Sequence, residues 1–207
     1  MSKEKEEADK DNENKVIFIG ESGVGKTSLI KVSIGQQFDP HHTLTLTASY
    51  VSKNFFYNDQ KFNFHLWDTI GQEKYRSLTK MFFKDSNIVI LVYDITKKNT
   101  FESLDFWLNQ VKEEIGENFI LAIVGNKSDL YLLEEITEQQ GKEYADKSCS
   151  YFKLCSAKDN PDDFVRFLDE LFEEYIKKTK KFNKKETKGL SINKSGFKNN
   201  KNKKKFC

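Results

Sequence analysis

Gly20, Gly25, Lys26 and Thr27 stand in the spacing G-x-x-x-x-G-K-[ST] within the run GESGVGKT. Residue types in that order suit a polyphosphate. The glycines let the backbone curl until successive N–H groups face one centre. A helix opening there adds its positive end. Lys26 can reach the β- and γ-phosphates, and the Thr27 hydroxyl can ligate Mg²⁺. A glycine-rich turn is the bland alternative, so the flanks matter. The preceding KVIFIG (15–20) is short and β-rich, and TSLIKVSI (27–34) can form a helix. Strand, glycine loop, helix is the context this chemistry needs.

Three further polar groups follow apolar, strand-like runs. Asp68 ends FNFHLW (62–67) and can hold Mg²⁺ directly or through water. Gly71 beside it can bring a backbone N–H against a γ-phosphate, and Gln72 can orient an attacking water. Asn126, Lys127 and Asp129 follow FILAIV (119–124). A carboxylate at 129 can accept both N–H groups of a guanine edge, a donor pair that adenine lacks. The Lys127 stem can lie against the ring, and Asn126 can tie this loop to Gly20–Thr27. Ser156, Ala157 and Lys158 follow YFKLC (151–155), where a backbone N–H can meet the guanine carbonyl oxygen. Each group alone could be an ordinary polar turn.

These groups need a scaffold that gathers strand ends. IVILVY (88–93) and FILAIV are continuous apolar runs, as doubly covered parallel strands should be. Residues 48–56 alternate loosely and 62–67 cleanly about a turn at Asn58 and Asp59, which predicts an antiparallel hairpin. Apolar residues at 101, 104, 108, 111 and 115 predict one helix from Thr100 to Ile115. Thr137 and Gln140 form a capping box that opens a helix ending near Lys147. Phe164, Phe167, Leu168, Leu171, Phe172 and Tyr175 mark the last helix. The expected fold is α/β: a six-stranded, mostly parallel, doubly wound sheet with helices on both faces. Ligands in such sheets bind beyond the carboxyl ends of the strands, where the four groups lie.

The 207 residues suit one domain. Residues 1–14 read as a disordered arm, 15–178 as the nucleotide-binding domain, and 179–207 as a flexible polybasic tail. From Lys177 onward there are thirteen lysines and one glutamate, which leaves the body acidic although the whole chain is only +2. An acidic body with a basic tail points to an anionic membrane surface, and nucleic acid is not expected as a partner. No apolar run is long enough to span a membrane. Cys149, Cys155 and Cys207 show no paired spacing, which favours a reducing compartment, with Cys149 and Cys155 as buried fillers. His41, His42 and His65 have no partners at metal-ligand spacing.

Together, the four groups resemble the small GTPases of the Ras superfamily over roughly residues 15–178. DTIGQEKYRSL (68–78), LVYDIT (91–96) and Trp67 look like the Rab branch. Thr45 lies 23 residues before Asp68, the Rab spacing for a switch threonine. TLTASY (45–50) is similar to the Rab T-I-G-x-x-F segment, most like early-endosomal members.

The resemblance implies a P-loop NTPase of the Ras-like G-domain type that binds GTP and GDP with Mg²⁺ and hydrolyses GTP to regulate vesicle-mediated membrane trafficking. It implies nucleotide contacts from Ser22, Gly23, Val24, Gly25, Lys26, Thr27, Ser28, Phe38 (against the guanine), Thr45, Gly71, Asn126, Lys127, Asp129, Ser156, Ala157 and Lys158. Mg²⁺ would be held by Thr27 and Thr45, with Asp68 acting through water, and Gln72 would position the hydrolytic water. Tyr50, Trp67 and Phe82 would form an aromatic effector triad. Effectors, an exchange factor and a GTPase-activating protein are the implied partners of a monomer. The chain shows no obvious arginine of its own for catalysis, since Arg76 falls among effector-surface residues.

Three departures stand out. Thr47 replaces the family's glycine and Ile70 its alanine, and β-branched residues stiffen switch loops. They raise an alternative: a Rab-like GTP-binding recruiter with slow hydrolysis or altered exchange. Rabs usually end in two cysteines, whereas here Cys207 is alone and forms no C-a-a-X box. Prenylation of Cys207 plus the lysine tail would still satisfy the two signals that stable anchoring needs. That places the protein in the cytoplasm, peripheral on the cytosolic face of an intracellular, endosomal membrane. An ATP-using P-loop kinase is disfavoured by Asn126–Asp129 and by the lack of an arginine-rich lid.

Overall fold

The computed structural model describes residues 13–41, 45, 47–69 and 82–192, with side chains from Asn14 to Lys180. Six strands form one sheet: β1 (Glu13–Ile19), β2 (Ser49–Tyr57), β3 (Gln60–Asp68), β4 (Ile88–Asp94), β5 (Ile120–Asn126) and β6 (Tyr151–Leu154). Their spatial order is β2-β3-β1-β4-β5-β6. Only the β2–β3 hairpin is antiparallel, and it turns through Asn58 and Asp59, both at positive φ. The expected sheet is therefore present. β4 and β5 are buried along their whole length, as their unbroken apolar runs require.

Helices cover both faces: α1 (Lys26–Ser33), α2 (Lys98–Glu102), α3 (Leu104–Ile115), α4 (Glu138–Lys147) and α5 (Pro161–Ile192). A short 3₁₀ helix spans Ser128–Leu133. Phe164, Leu168, Leu171 and Phe172 of α5 join Leu29 of α1 and Phe64 of β3 in one core layer. Phe64 stacks on Phe172, centroids 3.8 Å apart and planes 5° apart. Both are fully buried, so truncating either to alanine should cost about 3–5 kcal/mol. Trp107 and Val111 of α3 and Ala145 of α4 complete the opposite layer.

Local signals hold where their chemistry is local. Gly35 takes φ 81° just after α1, and its N–H donates to Val32 O. Thr137 and Gln140 make both bonds of the capping box. Other boundaries shift. The helix expected over 100–115 is two, broken at Ser103. The Thr100 hydroxyl bridges Asp94 N and Lys97 O, fixing the first turn to the end of β4, which periodicity cannot register. The last helix runs to Ile192, into the segment 179–207 that reads as the tail. Cys149 is exposed, contrary to its reading as a buried filler. It sits just beyond α4 at φ 53°, a chain-reversing position that turns its side chain away from the core. Cys155 is buried as expected, and burial pushes its thiol up to about 12.

Candidate functional site

The carboxyl ends of β1, β3, β5 and β6 open into a cleft of about 510 Å³. Ser22, Gly23, Gly25, Lys26, Thr27 and Ser28 line one side, and Asn126, Lys127, Asp129, Ala157 and Lys158 another. Phe38 and Thr45 also reach it. The sheet thus brings together segments that lie far apart in the chain.

Gly25 is the N-cap of α1 at φ 99°, and no side chain caps the helix. The first N–H groups of α1 therefore point where an anion can take them. A Cβ on Gly20 would stand 2.1 Å from Val92 O, and one on Gly25 would stand 2.2 Å from Asn126 Nδ2. Both glycines are dictated by close approach as well as by backbone conformation. Lys26 is 6% exposed, and its Nζ donates to Gly20 O and Glu21 O, each at 2.9 Å. Burial lowers its pKa to about 8, only partly opposed by the nearby carboxylates of Asp68 and Glu21.

Thr27 Oγ1 donates to Asp68 Oδ2 at 2.6 Å and lies 2.7 Å from Thr45 Oγ1. Thr45 Oγ1 is itself 3.4 Å from Asp68 Oδ2. Two hydroxyls and one carboxylate therefore converge beside Lys26. They are hard oxygen donors, the set that suits Mg²⁺, and the donor chemistry fits that ion.

At the other end, Asn126 is a buried clamp. Its Nδ2 donates to Val24 O at 2.9 Å, and its Oδ1 accepts from Ala157 N at 3.2 Å. The tie anticipated between this loop and Gly20–Thr27 is present. Asp129 Oδ1 accepts from Ser156 Oγ at 2.6 Å, and Lys158 Nζ lies 3.8 Å from Asp129 Oδ2. Val24 and Ser156 stand behind the cleft wall and act through these bonds. Ser156 also accepts from Lys158 N and Asp159 N, which shapes the loop.

Asp39, Pro40, Thr69 and Leu130 line the cleft without having been singled out from sequence. Glu21 was missed as well: its carboxylate accepts from Trp107 Nε1 at 3.2 Å, joining the loop to α3. Gly71 and Gln72, with Ile70, Arg76, His42 and Cys207, lie outside the described residues.

Tyr50 and Trp67 of the hairpin form a continuous aromatic patch with Phe82, which precedes β4. Tyr50 stacks on Trp67 at 4.8 Å, and Phe82 lies 6.0 Å from Trp67. Tyr50 also stacks on His65, and Lys15 Nζ sits 4.8 Å from the Trp67 ring centre. Tyr50 is 51% exposed, so the patch has a solvent face as well as packing within the fold.

The Ras family profile matches residues 15–181. The chain belongs to the Ras family. It is 39% identical to "Ras-related protein Rab-22A" from Homo sapiens over 146 residues, covering 70% of this chain and 75% of that protein. The Canis lupus familiaris and Mus musculus Rab-22A proteins match over the same shares at 39% and 38%. These likenesses make it a Rab-type small GTPase and agree with the early-endosomal branch suggested by the switch segment. As such it binds GTP and GDP with Mg²⁺, hydrolyses GTP, and regulates membrane trafficking through regulators and effectors. The slow-hydrolysis alternative gains no support over this reading. Thr47 is exposed in a bend, and Ile70 lies outside the described residues. Among the described residues, no helix is long and apolar enough to cross a membrane.

Proposed function

We propose that this Rab-type GTPase holds guanine nucleotide along the cleft from Ser22 to Lys158. Phosphates take the N–H groups of residues 23–28, and Lys26 exchanges its two carbonyl partners for phosphate oxygens. Asp129 reads the guanine edge, Lys127 and Phe38 flank the ring, and a backbone N–H of the Ser156–Lys158 loop meets the guanine carbonyl. The convergence of Thr27, Thr45 and Asp68 is the observation that carries the reading. A threonine from the loop over residues 36–47 meets the phosphate-side residues there, so that loop can report on the γ-phosphate. When bound, Mg²⁺ supplies charge neutralisation at the β- and γ-phosphates. Thr27 and Thr45 would hold it, with Asp68 acting through water.

Gly71 and Gln72 complete the reaction side. Gln72 positions the attacking water, and the γ-phosphate passes to that water with GDP as leaving group. A partner's arginine accelerates the step. Tyr50, Trp67 and Phe82 present the effector surface in the GTP state. The lysines beyond residue 177, with a prenyl group on Cys207, hold the monomer on the cytosolic face of an endosomal membrane. Each lysine near an anionic leaflet contributes about 1 kcal/mol.

Identification of the nucleotide carried by the purified protein tests this. GDP or GTP is expected, and an adenine nucleotide overturns it. Single-turnover hydrolysis of Gln72→Leu against wild type tests the reaction side: a strongly reduced rate is expected, and an unchanged one removes Gln72 from the mechanism. Mass spectrometry of native protein tests the anchor, since an unmodified Cys207 rules it out.

A further inference from the structure

Asp94, the last residue of β4, is completely buried. Its carboxylate is fully engaged. Oδ2 accepts from Lys127 Nζ at 2.6 Å, while Oδ1 accepts from Thr96 N at 3.0 Å and Thr96 Oγ1 at 2.7 Å. The main chain of Asp94 is fixed as well, because its N–H donates to Thr100 Oγ1 and its carbonyl accepts from Lys97 N. Asp94 pairs in register with Asn126, the clamp residue immediately before Lys127. A buried carboxylate held at three points, on a main chain that is itself fixed, therefore stands beside the base loop and grips one of its residues.

The gripped residue needs restraint. Lys127 adopts φ 69°, ψ 36°, a left-handed conformation that a lysine enters only at a cost. It sits between β5 and the 3₁₀ helix that begins with Ser128 and carries Asp129. Any drift of Lys127 would carry the base-reading carboxylate with it. The ammonium is partly open to solvent, with 30% side-chain exposure, whereas the Asp94 side chain has 1%. Removing the lysine would strand a buried charge, and removing the carboxylate would free the lysine to swing into the cleft or out to water.

We infer that Asp94 is a positioning residue for guanine recognition: through its ion pair with Lys127 it sets the geometry of the base loop and thereby the rate at which nucleotide leaves. The inference rests on the proposed place of Lys127 against the guanine ring. Asp94 touches no nucleotide. It keeps the Lys127 stem along the cleft wall with its charge turned toward β4, so the methylenes face the base.

The test is a double-mutant cycle read by the release rate of a fluorescent guanine nucleotide from the full chain, with Mg²⁺ present. Asp94→Asn keeps the shape and the Thr96 contacts but loses the ion pair. It should speed release about tenfold, the effect of one lost charge-assisted bond. Lys127→Met should speed release at least as much. The double variant should release no faster than Lys127→Met alone, because both act through one contact. Multiplied effects in the double variant would mean that Asp94 acts on the fold generally, and the inference falls. It falls also if Asp94→Asn leaves release unchanged while Lys127→Met speeds it. If Lys127→Met itself has no effect, the placement of Lys127 at the base fails first and takes the inference with it. Should Asp94→Asn not fold, Thr96→Ala loosens the same carboxylate from the other side. It should give a smaller acceleration that again disappears in the Lys127→Met background, and an acceleration that persists there overturns the inference.

Discussion

Thr27 at the start of α1 and Asp68 at the end of β3 meet through a 2.6 Å hydrogen bond across 41 residues of chain. The contact places a carboxylate behind the hydroxyl that would hold Mg²⁺. Outer partners of this kind typically govern metal affinity by about 10–100-fold. Asp68→Asn should weaken Mg²⁺ by that order and make GDP release nearly insensitive to EDTA. Titrating free Mg²⁺ against release rate checks it. A wild-type Mg²⁺ response in the variant would contradict the arrangement.

Lys26 predicts a proton linkage. In the nucleotide-free protein its pKa is about 8, against 10.5 ordinarily. Between those values the unfolded chain keeps a proton that the folded one has released. Stability from this group therefore rises with pH across that window, and the whole penalty of the buried charge is present below it. Bound phosphate favours the charged form, so binding near pH 9 should take up close to one proton. Affinity should then fall by up to about tenfold per pH unit over the same range. Calorimetry in two buffers of different ionisation enthalpy measures the uptake, and identical heats would refute it.

Gly23 and Gly25 separate two reasons for a glycine. Both have positive φ, but a Cβ on Gly23 meets nothing within 4 Å, whereas one on Gly25 strikes Asn126. Gly23→Ala should cost about 1 kcal/mol of backbone strain. Gly25→Ala should cost more, because Asn126 must also give up Val24 O, and nucleotide retention should be lost. Denaturation midpoints and bound-nucleotide content distinguish the two. Equal effects would argue against the Asn126 clamp.

Tyr93 offers a stabilising change. Its hydroxyl is buried, makes no hydrogen bond among the described residues, and packs against the Cα side of Gly125 and Gly141. Burial also pushes its pKa well up, so it stays neutral. Tyr93→Phe removes an unsatisfied donor whose burial costs about 1–3 kcal/mol. The urea midpoint should be unchanged or higher, and a marked fall would reveal a partner for the hydroxyl.

Trp67 and Trp107 are the two tryptophans, and they report on different ends of the site. Trp67 stacks on Tyr50 in the proposed effector patch, and Trp107 bonds Glu21 behind the phosphate loop. With Trp107→Phe, fluorescence should still change between GDP and a non-hydrolysable GTP analogue. With Trp67→Phe, most of that change should vanish. A response carried wholly by Trp107 would detach the aromatic patch from the switch.

Much of the molecule was legible along the chain because its signals are local. Gly20–Thr27 marks the phosphate loop through its spacing and its strand and helix flanks. The apolar runs at 88–93 and 119–124 mark covered strands, and Thr137 with Gln140 marks a helix start. These depend on neighbours within a few residues, so they survive without a fold. Helix limits did not survive as well, since the break at Ser103 depends on a bond from Thr100 to a strand end.

The amino-acid order by itself determined which groups could do the chemistry: a lysine, two threonines, two aspartates and an asparagine, all but Thr45 at a strand end or a helix start. Only the tertiary structure decided how they act on one another. The Trp107–Glu21 bond spans 86 residues, and the Lys127–Asp94 pair spans 33. No local pattern encodes either contact, because each exists only once strand register fixes which ends lie side by side. Asp94 reads in sequence as the close of a buried strand. Beside β5 it becomes a fully buried charge with a lysine to hold.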